Sequence, residues 1–99
     1  MKDTPLYKKA VFQAARRAML ENELVLREFV QNNLPEHYGE KEMIELNELL
    51  EGILDNDLFD VVMGVKEAEE FSDRYNIAIL KDIEDFSKVY REKKKLRQG

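Results

Sequence analysis

The chain of 99 residues has no cysteine and a single histidine, His37. The absence of cysteine excludes disulfides, thiolate metal sites and thiol nucleophiles. A metal site normally recruits three or four converging ligands, so one histidine without cysteine partners makes a poor one. We therefore interpret His37 as a solvated loop residue, and we expect the chain to carry neither a metal nor another cofactor of its own.

Long apolar segments are also missing from the sequence. No run approaches the ~20 residues that are needed to span a bilayer. The N-terminal stretch MKDTPLYKK has neither the apolar segment of a signal peptide nor the Arg- and Ser-rich character of a transit peptide. We expect no membrane association and a cytoplasmic location, most simply in a bacterium.

Motifs that carry catalytic chemistry are absent as well. The segment DNDLFDVVMGVK superficially resembles a calcium loop, but Asp60 stands where glycine is needed and Lys66 where a bidentate glutamate belongs. The sequence has no Gly-rich phosphate loop and no Ser–His–Asp set. Glutamates that recur at every third position indicate a solvated helix face rather than an acid–base pair, which would need burial to separate two pKa values. These are Glu42, Glu45, Glu48 and Glu51. We expect no enzymatic activity.

The charge is unevenly distributed along the chain. The net charge of −5 divides into +4 on residues 91–97, REKKKLR, and −9 on the rest. A body this acidic repels a phosphate backbone, so we expect no nucleic-acid partner. The basic segment is interpreted as the solvated end of a helix, where positive charge also suits the helix dipole.

Apolar residues repeat with helical spacing throughout, and strand-like alternation does not persist. The pattern predicts an all-α protein, a small single-domain bundle of about five helices. The single domain is expected to span residues 1–99, with a core over about 5–90 and a basic C-terminal tail over 91–99. The apolar stripe of the first helix is expected to be Tyr7, Val11, Ala14, Ala15 and Ala18.

The ends of several helices can be read from local signals. Pro5 suits a first turn, Gly52 is a natural stop for a helix that begins near Glu40, and Asp55 is one of three candidate caps for the next helix. A bend near residues 20–22, with Asn22 as a cap, gives the compact solution for the N-terminal half. The last helix is predicted to run unbroken from about residue 66 to beyond 90.

The stretch RRAMLENELVLREF, residues 16–29, contains the candidate binding residues. On a helix, Arg17 and Glu21 would be neighbours on one face. One interpretation is an exposed ion pair worth about 0.3–0.5 kcal/mol, so that removing either side chain would change stability by less than about 1 kcal/mol. The other is a recognition patch flanked by Arg16, in which the planar fork of arginine binds carboxylates and carbonyls of a partner and the small Ala18 lets the partner's backbone approach closely.

At this stretch the sequence resembles the SdhE family of FAD assembly factors. The family signature, Arg-Gly-x-x-Glu with a following acidic residue, Leu and Phe, stands here as Arg17, Ala18, Met19, Leu20, Glu21, Glu23, Leu26 and Phe29. A second family block appears as LLEGILDNDLFDVVMG. The similarity covers roughly residues 6–90. The sequence departs from the family by Ala18 in place of glycine, Asn56 in place of proline, and Val61 in place of tryptophan.

The resemblance implies a role as well as a fold. Family members bind the flavoprotein subunit of succinate dehydrogenase or fumarate reductase and promote covalent attachment of FAD to its histidine. The resemblance implies a partner-binding site at Arg16, Arg17, Ala18 and Glu21, with no catalytic residue. We expect Arg17 and Glu21 to make the central contacts, with Arg16 and Ala18 beside them, and we expect the chain to be a monomer. The competing interpretation is a helical protein–protein adaptor or antitoxin-like regulatory module unrelated to flavin.

Overall fold

The computed structural model describes the backbone of residues 4–98 and the side chains of residues 4–94. Over this range the chain forms five α-helices and one short 3-10 turn, with no strand. The helices are α1 (Pro5–Ala14), α2 (Leu20–Asn32), α3 (Glu40–Gly52), α4 (Asp55–Val62) and α5 (Ile77–Gln98), and the 3-10 turn is Ala68–Phe71. The predicted all-α class is confirmed. None of the helices in the described range is long and apolar enough to cross a membrane.

Local signals fix the helix ends close to where the sequence predicts them. The Thr4 hydroxyl accepts a hydrogen bond from the Tyr7 amide, with Pro5 in the first turn of α1. Helix α3 begins after Gly39, whose amide donates to the Glu42 carboxylate at 2.9 Å. That hydrogen bond holds the pKa of Glu42 below its usual value. Helix α3 ends at Gly52, as predicted.

The core forms where α2, α3, α4 and α5 meet, and α1 packs across α2 and α3. Ala10 and Ala14 are fully buried, so the slim face of α1 lets α3 approach closely, while Ala15 and Ala18 are exposed, contrary to the predicted stripe. They are exposed because the helix ends at Ala14. The largest fully buried apolar side chains are Phe29, Leu26, Met43, Leu46, Leu58, Leu80 and Ile83.

The prediction of one unbroken C-terminal helix is wrong. The chain makes a 3-10 turn at Ala68–Phe71 and a further turn before α5 begins at Ile77. Tyr75 holds this turn against the start of α4, because its hydroxyl donates to Asp57 at 2.6 Å and accepts from the Leu54 amide at 3.4 Å. Burial and this hydrogen bond raise the pKa of Tyr75. These tertiary hydrogen bonds stabilise a break that periodicity alone does not reveal.

Tyr38 links the α2–α3 loop to α5. It is 5% exposed, and its hydroxyl donates to Asp82 at 2.6 Å. Burial first, and then the hydrogen bond to Asp82, raises the pKa of Tyr38 above its ordinary value of 10.0. A pKa raised in the folded state means that the stabilisation is complete below about pH 10 and is lost as the pH rises further.

Replacing Tyr38 with phenylalanine is therefore expected to lower the free energy of unfolding by about 1–2 kcal/mol near neutral pH, because Asp82 loses its donor. Urea unfolding near neutral pH and above pH 10 measures this, and the gap between wild type and variant should narrow in alkali. Tyr90→Phe is the matched control, since its hydroxyl makes no hydrogen bond to any described residue. If Tyr38→Phe and Tyr90→Phe lowered the free energy of unfolding equally, the stabilising role of the hydrogen bond from Tyr38 to Asp82 would be contradicted.

Candidate functional site

The candidate site lies at the turn between α1 and α2, residues 15–19. Helix α1 ends at Ala14, and α2 begins at Leu20 with Met19 as its N-cap. The break therefore precedes the predicted bend at residues 20–22. Asn22 does not cap the helix: it is fully buried, and its side-chain amide donates to the Asp55 carbonyl at 3.0 Å. Tertiary hydrogen bonds, rather than a helix cap, fix this junction.

Arg17 is the central side chain of the turn. Its Nε donates to Asp55 Oδ1 at 2.8 Å, one terminal nitrogen donates to the Leu50 carbonyl at 2.7 Å, and the other donates to the Ile53 carbonyl at 3.0 Å. Leu50 lies in the last turn of α3, and Ile53 directly follows the end of this helix. The guanidinium therefore donates hydrogen bonds to carbonyls that the helix end leaves unpaired. Its positive charge also suits the negative end of the helix dipole. The Arg17 side chain is only 10% exposed.

Asp55, the first residue of α4, is the counterpart of Arg17. Its Oδ1 lies 2.8 Å from the Arg17 terminal nitrogen, and its Oδ2 accepts from the Ala18 amide at 3.4 Å. One carboxylate thus holds two successive residues of the α1–α2 turn. Sequence analysis named Asp55 only as a candidate cap of the next helix, and this is wrong, because the N-cap of α4 is Leu54. The sequence shows that the family block around Arg17 and the family block that contains Asp55 occur in the same chain. It does not show that the two blocks are in contact.

The predicted helical pairing of Arg17 with Glu21 is wrong. Arg17 lies outside both helices and is paired with Asp55. Glu21 lies in the first turn of α2, where a negative charge suits the helix dipole. It is exposed and takes part in no ion pair with any residue that the structure describes. The fold therefore does not use the Glu21 carboxylate as it uses the Arg17 guanidinium.

The remaining residues of the turn present a mixed surface. The Arg16 guanidinium lies 4.9 Å from the centre of the Phe12 ring, and both side chains are exposed. Phe12 is 58% exposed and Leu20 is 64% exposed. Together with Ala18 and Glu21, these exposed residues are here named the junction surface. It combines two large apolar side chains with one cation and one anion, which is the composition of a protein-binding patch.

Ala18 occupies the position of the family glycine. The structure has no residue other than glycine with a positive φ among residues 4–98, so Ala18 adopts an ordinary backbone conformation. The backbone at this point therefore does not require glycine. Ala18 is exposed, and its amide donates to Asp55. The methyl group of Ala18 is therefore compatible with the backbone conformation of the turn.

The chemistry available at this turn is recognition. Within the part of the chain that the structure describes, no cluster of His, Cys, Asp or Glu could hold a metal ion. A shallow pocket of about 300 Å³ adjoins Arg16 and Arg17 and is lined in part by Phe12, Leu50 and Glu51. The site is thus a turn held by Arg17, beside an exposed patch of apolar and charged side chains, in a small all-helical protein.

A family model described as the flavinator of succinate dehydrogenase, Sdh5, matches residues 8–87. The chain belongs to this family, whose members are assembly factors for FAD attachment rather than enzymes. The family resemblance in the sequence is thereby confirmed. Neither a search of curated proteins nor a search of solved structures gave a significant match.

Proposed function

We propose that this protein binds the flavoprotein subunit of succinate dehydrogenase or fumarate reductase through its junction surface. It thereby promotes covalent attachment of FAD to that subunit. The observation that carries the proposal is the different environment of the residues in and beside the turn. The Arg17 guanidinium makes hydrogen bonds within the protein, whereas Arg16, Ala18 and Glu21 are exposed.

Rigidity is the first element that supports binding at this surface. The backbone of the turn is fixed by Arg17 and by the Ala18 amide, both of which are held by Asp55. A partner that docks there pays little entropy to order the turn, because it is already ordered. Arg17 is therefore a positioning residue, and its neighbours make the contacts.

Charge is the second element. Arg16 and Glu21 flank Ala18 in the sequence and carry opposite charges on exposed side chains. Arginine suits carboxylates and backbone carbonyls of a partner, and an unpaired glutamate suits basic groups and amides. Complementary placement of such groups determines specificity and orientation more than raw affinity.

The covalent chemistry itself belongs to the flavin and to the histidine of the client. This chain supplies no cofactor. Its contribution is to hold the client in a conformation in which the histidine and the flavin are close and correctly oriented. Glu21 then acts through contact with the client.

Replacing Glu21 with alanine tests the proposal. We expect binding to the purified flavoprotein subunit to weaken by about 2 kcal/mol or more, roughly 30-fold, because Glu21 is a central contact. Stability should change by less than about 0.5 kcal/mol, because no described ion pair is lost. Calorimetric titration gives the affinity, and covalent flavin fluorescence of a co-expressed client gives the yield.

Glu36→Ala is the matched control for this experiment. Glu36 is an exposed glutamate in the α2–α3 loop, beyond the far end of α2. A helix of 13 residues separates the two positions by ~20 Å. The control should bind and flavinylate like wild type. If wild type neither binds the client nor raises its flavin yield, the adaptor interpretation replaces the proposal.

A further inference from the structure

A second concave surface of the molecule shares only Glu21 with the junction surface. A groove of about 230 Å³ runs between α2, α4 and the C-terminal part of α5. We name it the α2–α5 groove. Its lining includes Leu24, Val62, Met63, Tyr90, Arg91 and Lys94, together with Glu21.

The floor of the groove is apolar. Val62 is buried, Leu24 and Tyr90 are partly buried, and Met63 is 41% exposed at the end of α4. Methionine adapts its shape to different apolar partners. An accessible group of apolar residues favours insertion of an apolar side chain of a partner. The groove therefore has an anchor point of the kind that amphipathic segments use.

One end of the groove is basic and fixed. The Arg91 guanidinium donates to the Val62 carbonyl, at the end of α4. It also lies over Gly64, where a Cβ would approach an Arg91 terminal nitrogen to 2.8 Å. Gly64 has φ +77°, a conformation that also favours glycine. Glycine at this position thus lets Arg91 lie flat against the turn that follows α4.

Lys94 completes the basic end. Its Nζ lies 5.6 Å from the centre of the Tyr90 ring, and no acidic side chain in the described range forms an ion pair with it. Residues 91–97 carry +4, while the rest of the chain carries −9. An acidic segment is therefore attracted to this end of the groove and repelled by the remaining surface.

We propose that the α2–α5 groove binds an acidic amphipathic peptide segment of a partner protein. An apolar side chain of the segment sits on Leu24, Met63 and Tyr90, and its carboxylates lie at Arg91 and Lys94. Glu21 also lines the groove and repels carboxylates, so the carboxylates of the segment lie at the two basic side chains rather than beside Glu21. This inference goes beyond the proposed function, because it does not require that the partner be the flavoprotein subunit.

A nuclear magnetic resonance titration of the full-length chain tests the inference. The probe is a short synthetic peptide of Leu and Glu, with Leu along one helical face, and the reference probe carries Lys in place of Glu. We expect the acidic peptide alone to shift the amide signals of Leu24, Met63, Tyr90 and Lys94. Lys94→Glu should weaken its binding about tenfold or more, since an attraction becomes a repulsion.

Lys88→Glu is the matched control, because Lys88 is an exposed lysine of α5 that does not line the groove. The inference would be overturned if Lys94→Glu and Lys88→Glu weakened binding of the acidic peptide equally, or if the acidic and the basic peptide bound equally well. Shifts of amide signals away from the groove would also overturn it. A dimer in sedimentation equilibrium that Met63→Lys dissociates would also overturn it, since a second copy would then be the occupant. Peptide binding in the groove without client binding would refute the proposed function alone, and full client flavinylation without peptide binding would refute this inference alone.

Discussion

Replacing Arg17 with alanine is expected to lower the free energy of unfolding by about 2–3 kcal/mol. The change leaves the carbonyls of Leu50 and Ile53 without their donor and Asp55 without its cation. Asp55 is 29% exposed and Arg17 is 10% exposed, so water compensates only in part. This expectation replaces the loss of under about 1 kcal/mol that an exposed helical pair would give.

Urea unfolding monitored by circular dichroism measures the loss, with two matched variants. Arg16→Ala removes the adjacent, exposed arginine and should cost less than about 0.5 kcal/mol. Arg17→Lys keeps the charge but not the planar fork, so it should recover only part of the loss. A double-mutant cycle with Asp55→Ala should give a clear coupling energy. If Arg16→Ala and Arg17→Ala lower the free energy of unfolding by the same small amount, the hydrogen bonds and the ion pair of Arg17 do not stabilise the fold.

Replacing Ala18 with arginine is expected to reduce covalent flavin yield on a co-expressed client about tenfold or more while the thermal midpoint stays nearly unchanged. Ala18 is exposed, and its contact with Asp55 is made by the backbone amide, which any residue except proline supplies. A long charged side chain is therefore compatible with the fold. At the centre of the junction surface it holds the client away.

Ala15→Arg is the control for this variant. Ala15 is exposed at the other end of the same turn and is not part of the junction surface. It should leave flavin yield near the wild-type level. Ala18→Gly should also retain full yield, since the family carries glycine at this position. Full flavinylation by Ala18→Arg would show that the junction surface is not where the client binds.

The fold was largely predictable because apolar spacing reports burial directly. Apolar residues of α2, α3 and α4 are buried, among them Leu26, Leu46 and Leu58, and α3 ends at the predicted Gly52. The break before α5 was not predictable in the same way. Phe71, Tyr75 and Ile79 are spaced like one helical face, and the break between them depends on tertiary hydrogen bonds such as those of Tyr75 with Asp57 and Leu54.

The location of the candidate site stays a prediction, and the contacts that Arg17 makes within the fold were not predictable. Arg17 and Glu21 have the spacing of a helical pair, and sequence offers no sign that the helix stops between Ala14 and Leu20. The partner of Arg17 lies 38 positions away at Asp55, and such contacts are invisible to local patterns. Binding by Arg16, Ala18 and Glu21 stays a prediction for the experiments above.

The pairing of Arg17 with Asp55 also limits how this sequence can drift over generations. Removal of either charge alone leaves a largely buried charge without its counterpart, which lowers the stability of the fold. A change at one of the two positions therefore favours a compensating change at the other. Arg16 and Glu21 form no ion pair with any described residue, so each can be substituted without a compensating change within the fold. Their identities can therefore follow changes in the surface of the partner.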